Sequence, residues 1–289
     1  MFTVDNAIIM AAGTSSRFAP LSYEKPKGLI EVKGEILVER EIRQLREAGI
    51  QNIILVTGYK KECYSYLAEK YGIQLVDNPF YATKNNNASI YAVKDLLKNS
   101  FICSSDNYFS VNPFEIEVEC SYYAAVYADG DTDEWCMGED DSGFINEVTV
   151  GGSNAWYMLG HAFWDENFSR KFVQILEKEY SLPQTADKLW EAIYAEHLNE
   201  FKMKVRHYSD QAIFEFDTLD ELRLFDTTYV DDTRSEILKQ AAEKLNCREG
   251  EIVDICTVKS HDNQACGCTF RVHGNSYQYD YETENLKRI

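Results

Sequence analysis

Residues with the right types and spacing for phosphate chemistry gather near the start of this chain. Ala11, Ala12, Gly13, Thr14, Ser15 and Ser16 lead to Arg17, and Lys25 and Lys27 follow shortly after. A short apolar strand emptying into small polar residues lets backbone N–H groups approach an anion. Arg17, Lys25 and Lys27 add fixed positive charge, so the stretch suits a triphosphate. It does not close on Gly-Lys-Ser/Thr and lacks the Rossmann glycine spacing, so neither of those phosphate loops is implied. A surface turn carrying ordinary lysines is the bland alternative.

Further along, Asp106 ends the apolar run that begins at Ser100. Open α/β sheets gather ligands at the C-terminal ends of their strands, which makes Asp106 a candidate metal-binding carboxylate; an Asp-Asn pair also makes turns. Asn86 and Ser89 lie in an asparagine-rich loop. Each donates and accepts in one small group, as reading a base edge requires, yet the same residues cap helices. Asp129 to Glu134 is an acidic loop closing on Trp135. Asp187, Trp190, Glu191 and Tyr194 follow the i, i+3, i+4, i+7 pattern of one helix face, and a helix is predicted over 185–197. Glu215 and Asp217 alternate with Phe214 and Phe216, so both acids are expected on one face of a strand. The five histidines, 161, 197, 207, 261 and 273, show no metal-ligand spacing.

The elements that must position these residues follow a β–loop–α–β–α–β rhythm. Ala7–Ala12, Ile53–Thr57, Gln74–Val76 and the run from Ser100 read as strands, with helices over 36–48, 62–71 and 89–97. Near-continuous apolar runs suit strands covered on both faces, and this order implies right-handed crossovers in a mostly parallel sheet. Further strands are predicted over 122–127, 144–150, 155–160, 201–206 and 212–217, with Gly151-Gly152 as a turn and a helix over 167–179. Residues 227–233 read as a linker. Beyond it, a helix over 234–246 and three strands would form a small appendage, its last hairpin turning at Gly274-Asn275. The predicted fold is α/β: a Rossmann-like three-layer sandwich with a mixed, mostly parallel sheet in residues 1–230, plus a small α+β appendage in 231–289.

The bulk numbers narrow the function. The chain has 289 residues, 45% of them hydrophobic, enough for one large domain with a small addition. Its 48 acidic against 29 basic residues give a net charge of −19, which argues against a nucleic acid partner. The first apolar run is too short for a signal peptide or a spanning helix. The 8 cysteines form no CxxC pair and read as thiols in a reducing compartment. A cytoplasmic protein without membrane insertion is expected.

The string Ala-Ala-Gly-x-x-Ser-Arg-Phe-x-Pro-Leu, followed by Lys-Pro-Lys-Gly-Leu, resembles the opening signature of the sugar-phosphate nucleotidyltransferase superfamily. Asn-Asn-x-x-Ser-Ile-Tyr at 85–91, Ser-Asp-Asn-Tyr at 105–108, Thr-x-Glu-Trp at 132–135 and Ile-Phe-Glu-Phe-Asp at 213–217 narrow the likeness to bacterial CTP:phosphocholine cytidylyltransferases, over roughly residues 1–230. The resemblance implies that CTP and phosphocholine give CDP-choline and pyrophosphate. It implies Mg²⁺ on Asp106 and Asp217, phosphates on Lys27 and Arg17, and the loop Ala11–Ser16 around the nucleotide. Cytosine would lie against Asn86 and Ser89, and the choline head among Trp135, Asp187, Trp190, Glu191 and Glu215. Leu189 stands where the choline enzymes carry a tyrosine, and Glu191 replaces a shorter aspartate. Phosphoethanolamine or 2-aminoethylphosphonate is therefore an alternative acceptor. A sugar-1-phosphate uridylyl- or thymidylyltransferase and a non-catalytic nucleotide sensor are the rival readings. Some relatives are fused to a choline-kinase-like module, so association with such a module is a further expectation.

Overall fold

In a computed structural model, residues 1–260 and 265–289 are described; His261 lies outside them. The chain forms two compact units, one of Met1–Gly13 with Leu37–Glu215 and one of Thr14–Ile36 with Phe216–Ile289.

The first unit is built on a seven-stranded sheet. In chain order its strands are β1 (Asn6–Ala11), β2 (Ile53–Thr57), β3 (Gln74–Asp77), β4 (Ser100–Ser104), β5 (Tyr122–Glu139), β6 (Ile145–Trp164) and β7 (Lys204–Tyr208), and across the sheet they run β7-β5-β6-β4-β1-β2-β3. β4, β1, β2 and β3 are parallel neighbours, as are β5 and β7, whereas β6 is antiparallel to both β4 and β5. The predicted mixed, mostly parallel sheet is what forms. Ile8, Ile54, Val56, Ile102 and Trp164 are all buried in its core, each such side chain contributing roughly 1.5–3 kcal/mol. Helices α1 (Leu37–Glu47), α2 (Ser65–Tyr71), α3 (Asn87–Ala92), α4 (Glu166–Glu179) and α5 (Trp190–Glu196) belong to the same unit.

Three expectations change here. The acidic segment 129–135 is strand, not loop: β5 runs unbroken through it, with exposed and half-covered residues alternating from Tyr127. The Asp-x-Asp-x-Asp alternation is itself a period-two signal, masked by its acidity. Gly151-Gly152 is likewise no turn but lies inside β6, and Cys136 pairs with both Thr149 and Tyr157, so the register shifts along the arm. The helix expected over 185–197 begins only at Trp190. Leu189 is extended, and Asn87 Nδ2 donates to the carbonyls of Thr185 and Lys188. The Thr185 carbonyl also accepts the Lys188 N–H at 3.2 Å, so a short turn and the Asn87 side chain take the place of an α-helical turn here.

The second unit holds the segment from Thr14 to Ile36, with a short hairpin of Glu31–Val32 and Glu35–Ile36, together with α6 (Leu219–Phe225), α7 (Glu236–Leu245) and a four-stranded antiparallel meander. The meander's strands are β8 (Val253–Lys259), β9 (Ala265–Val272), β10 (Asn275–Asp280) and β11 (Leu286–Arg288). Its tight turn is His273-Gly274, both at positive φ, as a type I′ hairpin requires. The stretch 227–233 is not a free linker. It contains a short helix, Thr228–Asp231, and buries Tyr229, whose hydroxyl donates to the Glu31 carbonyl at 2.6 Å. Among the described residues no helix is long and apolar enough to cross a membrane.

Candidate active site

In the first unit a cavity of about 210 Å³ opens where β1 and β4 end and where α5 begins. Its lining carries three carboxylates, Glu134, Glu191 and Glu215, and no lysine or arginine. Trp135, Tyr123, Trp190 and Leu189 supply apolar and aromatic surface. Such walls favour a small cationic group: aromatic faces attract it, and carboxylates offset its charge.

One carboxylate is fixed at both oxygens. The Tyr123 hydroxyl donates to Glu191 Oε1 and Asn86 Nδ2 donates to Oε2, each at 3.1 Å. Asn86 Oδ1 accepts the Trp190 backbone N–H at 2.7 Å, satisfying a donor of the first turn of α5. The Trp190 ring stacks on Tyr123 with centroids 5.5 Å apart. Burial pushes the Glu191 carboxyl up to about 7, against the downward pull of the Asn86, backbone and Tyr123 hydrogen bonds. Asn107 Nδ2 donates to Glu215 Oε2 at 3.5 Å.

The other predicted residues fall as follows. Ala11 ends β1, and the Ala12 carbonyl accepts from the Tyr59 N–H at 3.1 Å. Ser89 is buried, its Oγ accepting from Asn78 Nδ2 at 3.1 Å. Asp106 lies just past β4, and Ser104 Oγ donates to its Oδ1 at 2.7 Å. In the second unit Thr14, Ser15 and Ser16 lead to Arg17. Arg17 pairs with Asp217 Oδ2 at 2.7 Å, while the buried Lys27 ammonium lies 3.8 Å from Oδ1. The structure thus gathers Arg17, Lys27 and Asp217, and separately gathers Asn86, Trp135, Trp190, Glu191 and Glu215.

Two placements depart from the sequence reading. Asp187 precedes α5 and does not line the cavity; its backbone carbonyl accepts from Asn85 Nδ2 at 3.0 Å. Glu215 and Asp217 do not share a strand face, because the strand there is only Ile213–Phe214. The chain passes from one compact unit to the other between Glu215 and Phe216.

Sequence reasoning missed Tyr123, Glu134 and Asn107 as cavity residues. Tyr123 is hidden in an apolar run that reads as core, and only strict alternation along β5 separates it from Tyr122. Glu41 was also missed. It is buried on α1, and burial together with the nearby charge of Asp106 pushes its carboxyl well above the usual carboxylate range, against the pull of Cys103. Among the described residues no group of three or more His, Cys, Asp or Glu side chains forms a metal cluster.

Residues 7–109 match the MobA-like NTP transferase domain family. The chain is 35% identical over 217 residues to a choline-phosphate cytidylyltransferase of Streptococcus pneumoniae, covering 75% of this chain and 95% of that protein. It is 36% identical over 229 residues to a 2-aminoethylphosphonate cytidylyltransferase of Lancefieldella rimae, covering 78% and 93%. The solved structure of the CTP:phosphocholine cytidylyltransferase of Streptococcus pneumoniae superposes with a TM-score of 0.75 at 34% identity, covering 78% of this chain and 99% of that one. By sequence over three quarters of its length, and by fold, the chain belongs to the nucleotidyltransferase family that includes these bacterial cytidylyltransferases.

Proposed function

We propose that this protein transfers CMP from CTP to phosphocholine, forming CDP-choline and releasing pyrophosphate. The observation that carries the acceptor is the cavity, with three carboxylates, Trp135 and no basic side chain in its wall. In this reading a phosphate oxygen of phosphocholine attacks the α-phosphorus of CTP, and the bond from that phosphorus to the pyrophosphate oxygen breaks. The attacker is already an anion, so no nucleophilic side chain is needed. The protein must instead align two anions, an effect worth roughly 7–11 kcal/mol in favourable cases. Lys27 and Arg17 would hold phosphate oxygens, and their pairing with Asp217 keeps both cations in place beforehand. The loop Ala11–Ser16 would wrap the triphosphate, with Ser89 and Asn86 toward the cytosine.

Asp106 and Asp217 are the proposed Mg²⁺ ligands. They offer only oxygen donors, and Mg²⁺ is usually held by one or two carboxylates plus substrate phosphates. When bound, Mg²⁺ would neutralise part of the triphosphate charge.

A second reading, 2-aminoethylphosphonate as acceptor, is favoured by Leu189, which removes one aromatic wall while the carboxylates remain. An ammonium with N–H groups gains more from carboxylates than a trimethylammonium does. Steady-state rates with CTP and each of phosphocholine, phosphoethanolamine and 2-aminoethylphosphonate decide between them. The highest kcat/KM on phosphocholine is expected; a higher value on 2-aminoethylphosphonate selects the second reading. The division into a nucleotidyltransferase domain at 1–230 and an appendage at 231–289 is supported by the relatives, which align over nearly their whole length with about three quarters of this chain. A cytoplasmic location suits the nucleotide substrate.

A further inference from the structure

The second unit joins the signature segment to the C-terminal part of the chain at several points. The Thr257 hydroxyl, on β8, donates to the Ser16 carbonyl. That carbonyl also accepts the Ala19 N–H at 3.2 Å, and the Ser15 carbonyl accepts the Phe18 N–H at 2.9 Å. Ser15 sits at φ 46 in the left-handed region, a conformation that costs a non-glycine residue about 1–2 kcal/mol and persists only where its surroundings enforce it. A few residues on, Glu24 Oε1 accepts the Ile237 N–H at 3.0 Å in the first turn of α7, and Tyr23 packs on Tyr281 with ring centroids 4.3 Å apart. Both sides of the 16–24 stretch are thereby gripped by residues of the segment 237–281.

We infer that the C-terminal segment braces the residues that follow Gly13, and that Thr257 is the positioning residue that holds the Ser16 peptide beside Arg17. Thr257 reaches no reacting atom in this scheme. It acts through the Ser16 carbonyl, whose peptide carries the N–H of Arg17. The brace itself is a property of the second unit alone. Its consequence for turnover rests on the reading of this loop as the triphosphate site. About a quarter of the chain lies outside the alignment with the relatives reported above. The brace gives residues of the segment 237–281 a task in this protein's own signature loop.

The test uses the full chain with Thr257→Val, which keeps the shape and removes the hydroxyl, and Thr257→Ser, which restores it. Amide hydrogen exchange at Phe18 and Ala19 is read without any ligand. One lost hydrogen bond predicts exchange about two- to ten-fold faster in Thr257→Val and near-parental in Thr257→Ser, with the protected amides of β1 unchanged. Equal exchange in all three proteins overturns the brace, whatever the protein's substrate. In turnover, Thr257→Val should raise KM for CTP several-fold and leave KM for phosphocholine unchanged. Arg17→Ala serves as the loop control. A raised KM for CTP in Arg17→Ala but not in Thr257→Val removes the brace from catalysis and leaves the loop reading standing. No change in either variant overturns the loop reading, and the brace's catalytic consequence falls with it.

Discussion

Glu191 should make the cavity, where the proposed reading puts the acceptor's head group, sensitive to pH near neutrality. Burial raises its carboxyl from 4.5 to about 7, a rise equivalent to roughly 3 kcal/mol at 1.36 kcal/mol per pH unit. A cation in the cavity favours the ionised carboxylate, so binding draws on the ionised fraction. For a group titrating near 7, that fraction is about nine-tenths at pH 8 and about one-tenth at pH 6. KM for phosphocholine should therefore rise up to roughly ten-fold on going from pH 8 to pH 6, while KM for CTP follows its own course. Glu191→Gln is the control, since it keeps the shape and an acceptor but never ionises. Its KM should be high throughout and flatter with pH, and the slope that remains in it belongs to the substrate phosphate. The stability linkage runs the opposite way. The folded carboxyl titrates above the unfolded one, so its contribution is full at low pH and is lost as pH rises from about 4.5 to about 7. Steady-state kinetics from pH 6 to 8.5 on both proteins is the assay. Superimposable KM profiles for the parent and Glu191→Gln would refute the reasoning.

Three further outcomes follow from the geometry. Asn86→Ala removes the acceptor for the Trp190 N–H and a donor to Glu191; it should cost about 1–2 kcal/mol of unfolding free energy and move the Glu191-dependent KM profile to higher pH. Lys27→Met removes a buried cation beside Asp217 and should lower kcat roughly 10²–10³-fold with little change in KM for phosphocholine, as rapid-quench turnover would show. Glu41 is buried with its carboxyl titration far raised, so its stabilising contribution is greatest at low pH and declines as pH rises. Glu41→Gln should then match or exceed the parent's Tm at pH 8 and lose that advantage at pH 5, by calorimetry.

The parallel half of the sheet was legible because strands buried on both faces read as uninterrupted apolar runs, as Ile53 to Thr57 does. The β5–β6 arm was not, because its solvent-facing acids and glycines carry the composition of a loop while keeping the alternation of a strand. Trp135, Trp190, Glu191 and Glu215 were recognisable from motifs, and they meet in one cavity. What motifs could not convey is cross-chain hydrogen bonding. Asn86 reaches 104 and 105 residues along the chain to Trp190 and Glu191, and that contact, not helix propensity, sets where α5 starts. Tyr229 and Thr257 illustrate the same limit: their tasks lie in hydrogen bonds to Glu31 and Ser16, near the other end of the sequence.

The most direct measurement is pyrophosphate release from CTP and Mg²⁺, with and without phosphocholine, in the parent and in Asp106→Asn. The account predicts release that depends on the acceptor, a cytidine diphosphate conjugate of matching amount, and a large loss in Asp106→Asn. It is contradicted if neither phosphocholine nor 2-aminoethylphosphonate supports release from CTP while glucose 1-phosphate supports it from UTP.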